Sequence, residues 1–200
     1  MSTPRPPHGL LLAGGRSRRM GTDKASIRYA GTAQSELTAE LLRSYCPKIF
    51  LSLRKGQNNC TGLEHVNVVY DRFESAGPLI GILSAMTLHP QAAWLVIACD
   101  LPFLDSKSLD NLLARRDSTK IATAYRSSYD GKPEPLCAIY EPHARLVLTK
   151  YFGADIRCPR KILMQTDPLL LDPVSPRALD NVNTPEDHEK ATQSLSRNEP

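Results

Sequence analysis

The residues best able to do chemistry in this 200-residue chain lie in one stretch, Leu11-Leu12-Ala13-Gly14-Gly15-Arg16-Ser17-Arg18-Arg19-Met20-Gly21-Thr22-Asp23-Lys24. Glycines let backbone N–H groups approach an anion closely, because no Cβ intervenes. Arginine neutralises phosphate charge with a planar fork, lysine as a point charge. The loop leaves an apolar run, Gly9–Ala13, that reads as a buried strand. A triphosphate cradle at the carboxyl edge of an α/β sheet has this form. Two better-known glycine motifs are excluded. A P-loop needs Gly-Lys-Ser/Thr where the chain has Gly21-Thr22-Asp23-Lys24, and the Gly-x-Gly-x-x-Gly dinucleotide fingerprint is absent. Gly15-Arg16-Ser17-Arg18-Arg19 lacks the second glycine of a serine nucleophile elbow. A solvated basic loop after an edge strand is the plainer alternative.

Asp100 is the second candidate. It follows Trp94-Leu95-Val96-Ile97-Ala98-Cys99, a continuous apolar run typical of a central strand. A carboxylate at the carboxyl end of such a strand sits where open α/β sheets bind ligands. It is a hard oxygen donor suited to magnesium, which prefers one or two carboxylates plus substrate phosphates. Capping the next helix would explain it less well, because Asp105 or Ser106 fills that role. Gly81, one turn into an apolar helix, costs about 1 kcal/mol relative to alanine. Close approach of a ligand or another backbone, or plain packing, accounts for it. Asp71 ends a further strand, and a surface turn would look the same.

The elements that must position these residues alternate. Strands are expected at Gly9–Ala13, Lys48–Leu53, Val66–Tyr70, Ala92–Cys99, Ile121–Tyr125 and Leu136–Tyr140. Helices are expected over Gln34–Tyr45, Pro78–Leu88, a segment after Asp105 carrying Leu109, Leu112 and Leu113, and Arg145–Phe152, the last stopping at Gly153. A final helix starts at Thr184-Pro185-Glu186-Asp187, with Thr184 as N-cap. This order predicts an α/β fold with a mostly parallel central sheet covered on both faces. Residues 8–193 form a single domain in this reading, between a disordered lead (1–7) and a disordered tail (194–200).

The net charge of +4 is mild, and much of the excess sits between Arg16 and Lys24. A focused basic loop fits an anionic small molecule, not nucleic acid, and no basic helix interleaved with aromatics is present. Five scattered cysteines without Cys-x-x-Cys or zinc spacing fit a reducing compartment. Cys99 and Cys137 read as buried thiols. The start has no apolar leader and no run approaches membrane-spanning length. A cytoplasmic protein without a membrane partner is expected.

The loop closely resembles the nucleotidyltransferase signature Leu-x-x-Gly-x-x-x-Arg-Met-Gly-x-x-Lys, with Arg19-Met20-Gly21 and Lys24 at the matching places. Its Leu-Ala-Gly-Gly form resembles the molybdenum cofactor guanylyltransferase branch. Cys99-Asp100-Leu101-Pro102 resembles the family's Cys-Asp-x-Pro, Gly77-Pro78-Leu79-Ile80-Gly81-Ile82 its Gly-Pro-Leu-Ala-Gly-Ile, and Asn181-Val182-Asn183-Thr184-Pro185-Glu186 its Asn-Val-Asn-Thr-Pro-Glu. The resemblance implies a three-layer Rossmann-like nucleotidyltransferase fold. It implies a magnesium-dependent enzyme transferring GMP from GTP to the terminal phosphate of molybdopterin or Mo-molybdopterin. Further implied partners are molybdenum-insertion proteins or an apo-molybdoenzyme. Arg19, Lys24, Asp100 and Asn183 carry the catalytic roles in this comparison, with Asp100 on the metal. Leu12, Ala13, Gly14, Gly15, Lys24, Ser52, Asp71, Gly81 and Asp100 line the nucleotide. Three departures stand out: Gly31-Thr32-Ala33 for Gly-Lys-Pro, Ser52 for an asparagine at the base, and Glu134-Pro135-Leu136 for His-Pro-Leu on the pterin side. Cytidylyl transfer to the same pterin, sugar-phosphate nucleotidyl transfer and non-catalytic GTP binding to a molybdoenzyme are the alternatives.

Overall fold

The first apolar run forms strand β1 (His8–Leu12), the middle of a parallel group of strands. The computed structural model describes residues 5–13, 27–29, 31–57, 62–73, 77–175 and 177–196. The elements that follow are β2 (Arg28–Tyr29), β3 (Thr32–Ala33), α1 (Gln34–Arg43), β4 (Ile49–Leu53), β5 (Asn67–Tyr70), α2 (Pro78–Leu88), β6 (Trp94–Ala98) and α3 (Ser106–Ala114). After them come β7 (Ala122–Arg126), β8 (Pro133–Tyr140), α4 (Ala144–Gly153), α5 (Pro159–Met164), β9 (Leu169–Leu171) and α6 (Pro185–Ser196). The main sheet has the order β5-β4-β1-β6-β8-β7-β9. Strands β5, β4, β1 and β6 are mutually parallel, β8 is antiparallel to both β6 and β7, and β9 is parallel to β7.

Successive strand side chains point to opposite faces, and the core divides accordingly. Leu11, Leu51, Leu95 and Ile97 pack with Leu42 of α1 and with Leu109 and Leu112 of α3. Leu10, Phe50 and Val96 pack with Leu79, Ile82 and Leu83 of α2, Leu148 of α4 and Ile162 of α5. The result is the expected three-layer α/β sandwich. Helix α2 is buried from Leu79 to Met86, as an all-round apolar helix must be. Asp105 caps α3 as predicted, accepting from the Ser108 backbone N–H at 2.8 Å.

Several local features differ from the expectation. Hairpin β2–β3 and strand β9 are too short to show a period, and six-residue α5 is little longer than one turn. Gly153 does not stop α4 but is its last residue, and the left-handed position falls on Asp155 (φ 64°). There the Asp155 N–H donates to the Phe152 carbonyl and the Ile156 N–H to the Tyr151 carbonyl, the bond pair of a Schellman ending. Arg157 braces the aspartate at 2.8 Å. At the amino end, Pro7 is buried and Arg116 donates to the Arg5 carbonyl, so the lead is anchored from Arg5 onward. Helix α6 continues to Ser196, into the segment expected to be disordered.

Candidate active site

Strand β1 has β4 on one side and β6 on the other, and the chain visits β4 and β5 before crossing back to β6. That reversal makes the carboxyl end of β1 a topological switch point, where such sheets bind ligands. Leu12 is in register with Ala98 of β6 and with Ser52 of β4, and the Cys99 N–H donates to its carbonyl at 3.3 Å. The loop after Ala13 therefore departs from this crevice. Gly14, Gly15, Arg19 and Lys24 lie outside the described residues.

Asp100 stands beside that departure point, two residues past β6 and half-buried. Its backbone carbonyl accepts from the Val182 N–H at 3.0 Å, which draws residues 181–183 onto the same edge. Thr184 accepts from the Asp187 N–H at 3.1 Å, while Asp187 accepts from the Asn183 and Thr184 N–H groups. This reciprocal box fixes the start of α6. The Thr184 side chain, then the Asn183 and Thr184 backbone N–H groups, hold the Asp187 carboxyl below the usual carboxylate range by hydrogen bonding. Asn183 is the residue that follows Val182, whose N–H binds the Asp100 carbonyl. The donor set fits a hard cation that takes most of its ligands from phosphate and water: one carboxylate and an amide, all oxygen. Among the described residues no trio of histidine, cysteine or acidic side chains could cage a metal alone.

On the β4 side, Ser52 and Gly81 face each other. A Cβ on Gly81 would lie 2.3 Å from Ser52 Oγ and 2.9 Å from Leu12 Cδ2. The helix glycine is thus accounted for by close packing of α2 on β1 and β4. Gly77, ahead of α2, has φ +117°, which strains any side-chain-bearing residue. The Asp71 N–H donates to the Leu53 carbonyl at 2.9 Å, next to Arg54. Burial raises the Asp71 carboxyl above its ordinary range, and Arg54 opposes that shift. The Arg54 Nε is buried and meets no acceptor among the described residues.

On the β8 side lies a cavity of about 220 Å³, lined by Leu101, Glu134, Leu136, Cys158, Arg160 and Asn181 among others. An irregularity in β8 builds it. Ala124 pairs with Ala138, but the next residue, Tyr125, pairs with Glu134, so residues 135–137 bulge. The Pro135 carbonyl so released accepts from the buried Tyr140 hydroxyl at 3.0 Å. Arg160 donates to Glu134 at 2.7 Å across the cavity wall. Arg160 was missed by sequence reasoning. It sits on an element too short for periodicity to mark, although Cys158-Pro159 is a recognisable helix start.

The family model of the MobA-like NTP transferase domain matches residues 9–169. The chain belongs to this family. It is 42% identical over 183 residues to a molybdenum cofactor biosynthesis bifunctional protein of Synechocystis sp., which covers 92% of this chain and 53% of the relative. The chain thus spans about half of that relative's length. A molybdenum cofactor guanylyltransferase of Pseudomonas aeruginosa is 30% identical over 180 residues, covering 88% of this chain and 90% of the relative. Among solved structures, molybdopterin-guanine dinucleotide biosynthesis protein A from Archaeoglobus fulgidus shares the fold, with a TM-score of 0.76 at 24% identity, over 95% of this chain and 99% of that one.

Proposed function

We propose that this chain transfers GMP from GTP to the terminal phosphate of molybdopterin, releasing pyrophosphate. The observation that supports the reading is the Val182–Asp100 backbone hydrogen bond, which joins the Asn181–Asn183 segment to the carboxyl end of β6 at the switch point. The guanylyltransferase names of the curated relatives support the choice of nucleotide and acceptor.

An oxygen of the acceptor phosphate forms a bond to the α-phosphorus of GTP, and the bond to the leaving pyrophosphate breaks with its electron pair. The nucleophile is already anionic, so the protein's work is positioning and charge stabilisation. Backbone N–H groups of Gly14 and Gly15 hold the triphosphate between Leu12, Ala13 and the loop. Arg19 and Lys24 stabilise charge on the leaving group. Asp100, with Asn183 near in sequence to its partner Val182, would hold magnesium, which when bound would neutralise phosphate charge. Ser52, Asp71 and Gly81 shape the guanine side. The cavity at Glu134 and Arg160 receives the acceptor, with the arginine facing its phosphate. Molybdenum-insertion proteins or an apo-molybdoenzyme are the recipients of the product, in the cytoplasm. No helix among the described residues is long and apolar enough to cross a membrane.

The test is isotopic. GTP labelled at the α-phosphorus, incubated with protein, magnesium and molybdopterin, should pass its label to the pterin. Label that stays in GTP or appears only in free GMP would contradict the proposal.

A further inference from the structure

We propose that Glu134 reads the pterin head of the acceptor: its carboxylate, braced by Arg160 in the cavity on the β8 side, accepts from the two adjacent N–H groups of a 2-amino-4-oxo heterocycle. The inference rests on that cavity being the acceptor's.

The backbone holds Glu134 firmly. Pro133 and Pro135 flank it with fixed φ, and a residue before a proline is itself confined to extended backbone. Glu134 pairs with Tyr125 at the start of the bulge, and the Pro135 carbonyl is pinned by the buried Tyr140 hydroxyl at 3.0 Å. The Glu134 side chain is 15% exposed, and its Oε2 accepts from Arg160 Nη2 at 2.7 Å. Asp130, which pairs with Lys132 at 3.1 Å, lies 3.7 Å from Arg160 Nη1, beyond hydrogen-bond reach. Arg160 thus gives one arm to Glu134, and its other N–H groups are left for the acceptor's phosphate. A carboxylate has about four lone-pair sites, so the contact at Oε2 leaves Glu134 most of its accepting capacity. The surrounding wall narrows what Glu134 accepts from. Pro78, Leu101, Pro135 and Leu179 make it largely apolar. That suits a flat heteroaromatic ring and not a sugar, whose hydroxyls would lack partners. At about 220 Å³ the cavity is smaller than the roughly 300–1,000 Å³ of pockets that take a whole ligand, so it holds one end of the acceptor. Leu101 and Asn181 on its wall are the chain neighbours of Asp100 and Val182, which sets the cavity next to the switch point. A pterin presents N3–H and its 2-amino group side by side, and two parallel N–H groups match a carboxylate as an arginine fork does. A neutral histidine offers a single acceptor nitrogen, so the His-Pro-Leu that Glu134-Pro135-Leu136 replaces could not make this pair.

The experiment compares pterin with lumazine, which carries a 2-oxo group in place of the 2-amino group. Each is equilibrated by dialysis with the protein and read by its own fluorescence. The oxo group would set an acceptor against the carboxylate. The parent should bind pterin at least about tenfold more tightly than lumazine, the scale of a buried polar group left unpaired. Glu134→Gln supplies an N–H for the oxo group and should lose most of that preference, with GTP affinity unchanged. Glu134→Asp retains a carboxylate and should bind both ligands more weakly while keeping the preference. If the glutamine variant does not fold, the parent's own ratio decides. A role confined to bracing Arg160 would change both ligands alike and leave the ratio in Glu134→Gln at the parent value, and that result overturns the proposal. So does a parent that binds the two equally, or binds neither. A fall in GTP affinity in Glu134→Gln also overturns it, by giving the cavity to guanine, whose edge carries the same two donors. Transfer of label from GTP separates the two readings. A parent that labels molybdopterin but treats pterin and lumazine alike fails only the Glu134 inference. A parent that does not label molybdopterin fails the acceptor assignment itself.

Discussion

Gly81→Ala tests how tightly α2 is pressed onto the nucleotide edge of the sheet. The added Cβ would sit 2.3 Å from Ser52 Oγ, 2.9 Å from Leu12 Cδ2 and 3.2 Å from Ser52 Cβ, well inside ordinary contact. Ser52 is 3% exposed, so its side chain cannot move into solvent, whereas Leu12 is partly buried. Overpacking of this kind costs typically 1–3 kcal/mol, and the helix preference of alanine over glycine returns about 1 kcal/mol. The net expectation is a loss of about 1 kcal/mol, or a fall in Tm of roughly 2–4 °C for a domain of this size. The double variant Ser52→Ala/Gly81→Ala removes the atom in worst conflict and leaves the leucine tip free to swing. It should recover most of the loss, giving a coupling energy of about 1 kcal/mol in a double-mutant cycle. Urea unfolding of the four proteins measures it. A single variant as stable as the parent, or a double variant no better than the single one, would refute the packing argument.

Three further outcomes follow from the same geometry. Asp100→Asn should keep the fold and lose roughly a hundredfold in pyrophosphate release, the scale of one lost electrostatic contact; turnover within about threefold of the parent, under 1 kcal/mol in barrier, would be inconsistent with a metal role. Arg160→Ala should lower kcat/KM for the acceptor by roughly tenfold to a hundredfold, as loss of a charged hydrogen bond does, while KM for GTP stays near the parent value in steady-state assays. At the opposite end of the sheet, His8 stacks on Phe50 and meets His89 and Trp94 edge-on. Burial, then the His89 and Lys48 charges, holds its imidazole below the usual 6.5. The unfolded chain therefore takes up this proton first, so stability should be intact above 6.5 and fall as pH drops below it. Urea midpoints across that range should show a shallower fall in His8→Gln.

The parallel core was legible because its strands are buried on both faces and read as unbroken apolar runs, of which Trp94–Cys99 is the clearest. Asp100 and the Asn181–Asn183 segment could be named from sequence, and what the structure adds is the Val182 hydrogen bond that joins them. The cavity on the β8 side was far less legible. It depends on the β8 irregularity at residues 135–137 and on Arg160 in six-residue α5, neither of which has a period to read. Gly81 shows another limit. A glycine in an apolar helix signals close approach, but only the coordinates identify Ser52 and Leu12 as what approaches.

The central claim is guanylyl transfer, and pyrophosphate release in a nucleotide panel tests it most directly. Protein, magnesium and molybdopterin are incubated separately with GTP, CTP, ATP and UTP. Unpaired polar groups against the wrong base cost about 1–3 kcal/mol, so GTP should be used roughly tenfold to a hundredfold faster than CTP. Equal use of GTP and CTP, or pyrophosphate from CTP alone, would contradict the guanylyl assignment.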